Sequence, residues 1–178
     1  MRKAAKADIA IQNGGGLRRD IPEGDITMGL MYELLPFDNT LFTFDLTGKQ
    51  VKEAIEHGII LNNEKTFRSG QFSGLKVKYD STKARGERIV EITLLDGTPL
   101  VDDKVYKVVT NDFQATGGDE YVMFMEGKNT FDTNIPIRDV VVDEIKELKV
   151  INPVEDDRLI DVAGKASMII PFDFDLAA

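Results

Sequence analysis

The chain has 178 residues, enough for one domain with a substantial core. Its apolar share of 42% excludes a disordered chain, and its lack of cysteine excludes disulfides, thiolate catalysis and cysteine-ligated metals. The net charge of −9 argues against a nucleic-acid polymer as partner, so any phosphate site has to be a local basic pocket.

No apolar run reaches the roughly 20 residues of a membrane span, and the polar start, Met1 to Asp8, has no signal-peptide core. Residues 2–7 read as the last turns of a helix, with basic residues suited to its C-terminus. Ile9–Gln12 reads as the first strand. So short a lead-in is expected of the latter part of a longer protein. Three glycines follow the strand at 14–16, and a turn of that kind needs positive φ or close approach by another group. Residues 20–26 carry Pro22 and Gly24 and read as a loop. Thr27 is a suitable N-cap for a helix over Met28–Leu35, with Met28 and Met31 as core filler, and Pro36 ends it.

Phe37 to Asn39 reads as a turn and Thr40–Leu46 as a strand. Thr47-Gly-Lys-Gln50 is a capping-box sequence opening a helix to about Gly58. His57, the only histidine, falls near that helix's C-terminus, where a surface or capping role is expected. Residues 59–73 read as a long loop containing Phe67 and Phe72. Strands are expected at 74–80, 88–95 and 105–110, with Asp96-Gly97 as a hairpin turn. Residues 122–136 read as irregular, 139–148 as a helix, and 160–178 as a tail or an added edge strand.

Three loops, 13–20, 36–39 and 111–121, each set polar groups beside glycine or phenylalanine. Phe37 and Phe113 stand outside periodic core positions. Either both rings fold back into the core, or they hold a flat heterocycle between them by stacking. Asp119 and Asn39 are then candidates for ribose hydroxyls or base edges, and Arg18 offers a planar fork of donors for phosphate.

Six segments add a resemblance to those readings. They are IAIQNGGGLRRDIPEGDIT (9–27), LLPFDNTL (34–41), LTGKQVKEAIEHG (46–58), FSGLKVKYD (72–80), YKVVTNDFQATGGDEY (106–121) and VINPVEDDRL (150–159). In order and spacing the chain resembles the C-terminal domain of the 5′-nucleotidase family, which includes UDP-sugar hydrolases and 2′,3′-cyclic phosphodiesterases. The resemblance implies an α+β fold, a mixed sheet of at least five strands with packed helices, over residues 1–159. It implies that Phe37 and Phe113 sandwich a nucleobase, with Asn13 and Asn39 near the base. It implies further that Asp119 holds ribose hydroxyls, Arg18 holds phosphate, Gly15 belongs to the glycine turn, and Gly74 brings backbone close to the base.

Two departures stand out. Glu120 occupies a position where the family usually has glycine, and the family's further arginines upstream of the glycines are missing. The family's catalysis uses two divalent metal ions on an N-terminal metallophosphoesterase domain. This chain, with one histidine, has none of the corresponding motifs and offers no catalytic or metal-ligating residue. The expectation is therefore a non-catalytic nucleotide- or nucleoside-binding domain of a bacterial, extracytoplasmic hydrolase, working with that N-terminal domain. The alternative is a stand-alone interaction module that has lost nucleotide recognition.

Overall fold

The computed structural model describes residues 1–61, 69–153 and 156–164. In chain order the elements are α1 (Arg2–Ala5), β1 (Ile9–Asn13), α2 (Met28–Leu34), β2 (Thr40–Thr47), α3 (Gly48–Gly58), β3 (Gly70–Ser73), β4 (Leu75–Tyr79), β5 (Ile89–Leu94), β6 (Val105–Asn111), α4 (Asp112–Ala115), β7 (Lys128–Pro136), α5 (Ile137–Leu148) and β8 (Leu159–Asp161).

The fold is α+β. A mixed five-stranded sheet has the order β3-β1-β6-β2-β7, and a smaller sheet has the order β5-β4-β8. Alternation along the central strands divides the core in two. Ile9, Ile11, Phe44, Leu46 and Val108 face α3 and the small sheet. Ala10, Leu41 and Val109 face the other way, towards α2 and α5. This is the period of two expected of strands covered on both faces. β1 runs parallel to β6, and β2 runs antiparallel to it, so Asn13 and Asn111 come to the same sheet end.

Local signals explain the best-defined elements. The Thr47 hydroxyl accepts from Gln50 N, and the Gln50 side chain accepts from Thr47 N, closing the expected capping box. Thr27 caps α2 through Leu30 N. Met31 is buried beneath that helix, whereas Met28 is half exposed and is not core filler.

The structure departs from the sequence reading mainly after residue 58. Gly70–Ser73, expected as loop, is β3, pairing antiparallel with β1 and burying Phe72. Phe67 lies outside the described residues. Residues 122–136, expected as irregular, contain a 3₁₀ turn at Val122–Glu126 and the edge strand β7. β7 is exposed along most of its length, so it shows no alternation, and its pairing with β2 is interrupted by register shifts. β8 pairs parallel with β4 and crosses the expected boundary at residue 159. Of the stretch 160–178, expected as a tail or an added edge strand, residues 165–178 lie outside the described residues. No helix among the described residues is long and apolar enough to cross a membrane.

Candidate functional site

The site begins where β1 ends. Gly14–Gly16 form a buried 3₁₀ turn. None of the three has positive φ, so close approach is what selects glycine here. A Cβ on Gly14 would collide with Ser69 Oγ, and one on Gly16 would stand 2.5 Å from Gln12 Nε2. Gly14 N donates to Ser69 O at 2.6 Å, and Arg18 N donates to Leu34 O at 2.9 Å, anchoring the turn at both ends. Arg18 Nη1 reaches Gly15 O at 3.4 Å.

A cluster of amides fixes the floor. Asn13 Oδ1 accepts from Asn111 Nδ2 at 2.9 Å and from Gln12 Nε2 at 3.1 Å. That orients its Nδ2, which donates to Asp119 Oδ2 at 2.6 Å. Gln114, wholly buried, accepts at Oε1 from Asn13 N at 2.9 Å and from Thr110 Oγ1 at 2.9 Å. Asn111 also caps α4 through Gln114 N. Buried amides tied in this way hold one orientation, because a flip would leave several polar groups unpaired.

The aromatic side is built from the 36–39 turn, which carries Phe37, and the short helix α4, which carries Phe113 and was expected as part of a loop. Phe37 is 51% exposed and Phe113 45%, so neither ring folds back into the core. Gly118 lies against Phe113, where a Cβ would stand 2.5 Å from the ring. Asp112 Oδ1 accepts from Asn39 Nδ2 at 2.7 Å and from Thr40 N at 3.1 Å, joining α4 to the turn that carries Phe37. Asp119 itself has left-handed backbone dihedrals (φ 52°), as does Glu120 (φ 63°). His57 Nε2 lies 2.9 Å from Asp119 O; a carbonyl only accepts, so that nitrogen carries a proton. The imidazole meets the Tyr121 ring edge-on at 4.6 Å. His57 therefore ties α3 to the Asp119 loop and is more than a surface residue.

These loops enclose a pocket of about 460 Å³ lined by Asn13, Gly15, Gly16, Arg18, Phe37, Asp38, Asn39, Phe113 and Asp119. Its volume falls in the usual range for small-molecule sites, with apolar faces and a few convergent polar groups. Seven of the eight residues singled out from the sequence line it. The eighth, Gly74, does not. It has φ +97° where the chain passes from β3 to β4, and a Cβ there would collide with Asp8 O. Its permissive backbone turns the chain between the two sheets, and it lines a separate cleft with Arg2 and Tyr106. Gly16 and Asp38 were missed although both adjoin predicted residues. The supporting residues Gln12, Asn111, Asp112 and Gln114 were missed because a polar run at a strand end does not show which amides are buried. Among the described residues no group of three His, Asp or Glu could hold a metal ion.

A family model described as "5′-nucleotidase, C-terminal domain" matches residues 1–126. The trifunctional nucleotide phosphoesterase protein YfkN of Bacillus subtilis is 37% identical over 153 residues, covering 83% of this chain and 10% of that protein. The snake venom 5′-nucleotidase of Crotalus adamanteus is 33% identical over 168 residues, covering 88% of this chain and 28% of that protein. The crystal structure of a 5′-nucleotidase precursor from Thermus thermophilus superposes with a TM-score of 0.84 at 38% identity, covering 90% of this chain and 32% of that one. The chain thus spans a third or less of the length of each.

Proposed function

The chain belongs to the 5′-nucleotidase C-terminal-domain family, and from that premise we propose that it is the nucleotide- or nucleoside-binding domain of a bacterial 5′-nucleotidase-like phosphoester hydrolase. The observation that carries this reading is the pair of exposed rings, Phe37 and Phe113, lining one pocket together with Arg18 and Asp119. A nucleobase stacks between the rings. Asn13 and Asn39 lie at its edge, Asp119 accepts from ribose hydroxyls, and Arg18 meets the phosphate. The fixed orientation of Asn13 supports this, because the site's polar edge is set before ligand arrives.

Hydrolysis is assigned to an N-terminal metallophosphoesterase domain carrying the two divalent metal ions. The described residues of this chain do not fit such a centre, so its part is to bind and present the substrate. The binding domain is taken to span residues 1–161, two residues past the expected boundary because β8 completes the small sheet, with the rest as an appendage. An extracytoplasmic setting is in keeping with the venom relative.

The test is a calorimetric titration of the purified chain with adenosine and with AMP, repeated on Phe113→Ala. A ring–base stack is worth about 1–3 kcal/mol, so the variant is expected to lose about fivefold to a hundredfold in affinity. Absence of binding to either compound would favour an interaction module that no longer reads nucleotides, a reading to which Glu120 points. Hydrolysis of AMP by the chain, surviving a chelator control for contaminating enzyme, would overturn the non-catalytic assignment.

A further inference from the structure

Arg138, the second residue of α5, is a charged side chain only 7% exposed. It lies beyond the residues that the family model matches. Its Nη1 donates to Leu35 O at 2.6 Å, and its Nη2 donates to Asp38 Oδ1 at 2.7 Å. The guanidinium also stands 4.0 Å from the centroid of the Tyr32 ring. One residue earlier, Ile137 N donates to Asn39 O at 2.9 Å. The start of α5 thus grips Leu35, Asp38 and Asn39, the positions on either side of Pro36 and Phe37.

We infer that Arg138 is a positioning residue for the ligand site, acting through the 35–39 turn to aim the Phe37 ring into the pocket. The inference rests on the nucleotide-binding reading above. Phe37 is half exposed, so the turn sets the direction of its ring more than core packing does. An apolar side chain would fill the buried space under the turn without the desolvation cost of a guanidinium. What the guanidinium adds is two directed bonds in a planar fork, one on each side of Phe37. Its pairing with Asp38 contributes little as an ion pair, because that carboxylate is 88% exposed. The bond to the Leu35 carbonyl and the stacking on Tyr32 give the fork its fixed geometry.

The experiment compares the full chain with Arg138→Met and Asp38→Ala. It uses two readouts: the Phe37 ring signals in aromatic NMR without ligand, and the dissociation constant for adenosine. Arg138→Met is expected to shift or broaden the Phe37 signals, leave those of buried Phe124 in place, and weaken adenosine binding on the order of tenfold. Asp38→Ala, at an exposed position that does not threaten folding, removes one of the two bonds and is expected to shift the Phe37 signals the same way by less. Unchanged Phe37 signals and affinity in the folded variants would overturn the inference. If Arg138→Met does not fold, the Phe37 signals of Asp38→Ala alone decide, since Asp38 also lines the pocket. If the unaltered chain fails to bind adenosine while its Phe37 signals respond to the substitutions, the nucleoside reading falls and the role of Arg138 stands. If it binds but Phe37 does not respond, the reverse holds.

Discussion

Glu120 is in the left-handed region immediately after Asp119, which is there too. The second of these is the costlier, because aspartate enters that region more readily than glutamate does. Replacing Glu120 by glycine removes the Cβ conflict, and the chain should gain about 1 kcal/mol, read as a higher urea midpoint at unchanged slope. Much of the pocket lining was legible because Phe37 and Phe113 stand outside periodic core positions and Asp119 and Arg18 sit in glycine-rich segments, and all four line the pocket. Gly74 misled because glycine signals an unusual backbone without saying what approaches it. Here the neighbour is Asp8, just before β1 and at the opposite end of that strand from the glycine turn. Gln114 could not be read at all, since its part depends on Asn13 and Thr110 meeting it in the interior.

Among the elements, α3 was the most legible, because Thr47 and Gln50 spell out a local contact and Val51, Ala54 and Ile55 mark the buried face. Thr47→Ala removes the cap and should cost about 1 kcal/mol of unfolding free energy, measured by thermal or urea denaturation. The far end of α3 carries His57, whose bond to Asp119 O makes this helix a support of the site. β7 was illegible for the opposite reason. An edge strand exposed along most of its length gains nothing from a two-residue period. β3 and β8 are four and three residues long, too short for a pattern, and are defined by the strands they pair with.

For the whole molecule, acid is the expected weakness. The Thr82 hydroxyl and then its backbone N–H hold the Asp80 carboxyl below its usual value, and Thr98 does the same for Asp96. Arg158, through a hydrogen bond, lowers Asp156. A carboxylate that ionises more readily in the folded state stabilises that state above its ordinary value of 3.8 and loses the effect as pH falls through the lowered one. The melting temperature should therefore be level at neutral pH and fall below about pH 4. Asp80→Asn/Asp96→Asn should flatten that acid limb by lowering the neutral plateau slightly, because the stabilisation they remove is the one present at neutral pH. The strands β1, β2 and β6 were legible one by one, and the mixed sheet with packed helices followed from the resemblance. The splitting of strands between two sheets was not, because it depends on how Gly74 turns the chain.

The parallel alignment of β1 with β6 also governs when the site can exist. Asn13 and its partner Asn111 are 98 residues apart in sequence, and contacts so distant form late and slowly. During synthesis the glycine turn leaves the ribosome long before the strand that completes it. A nascent chain that stops short of Phe113 and Asp119 has no pocket, however well β1, α2 and α3 have already formed.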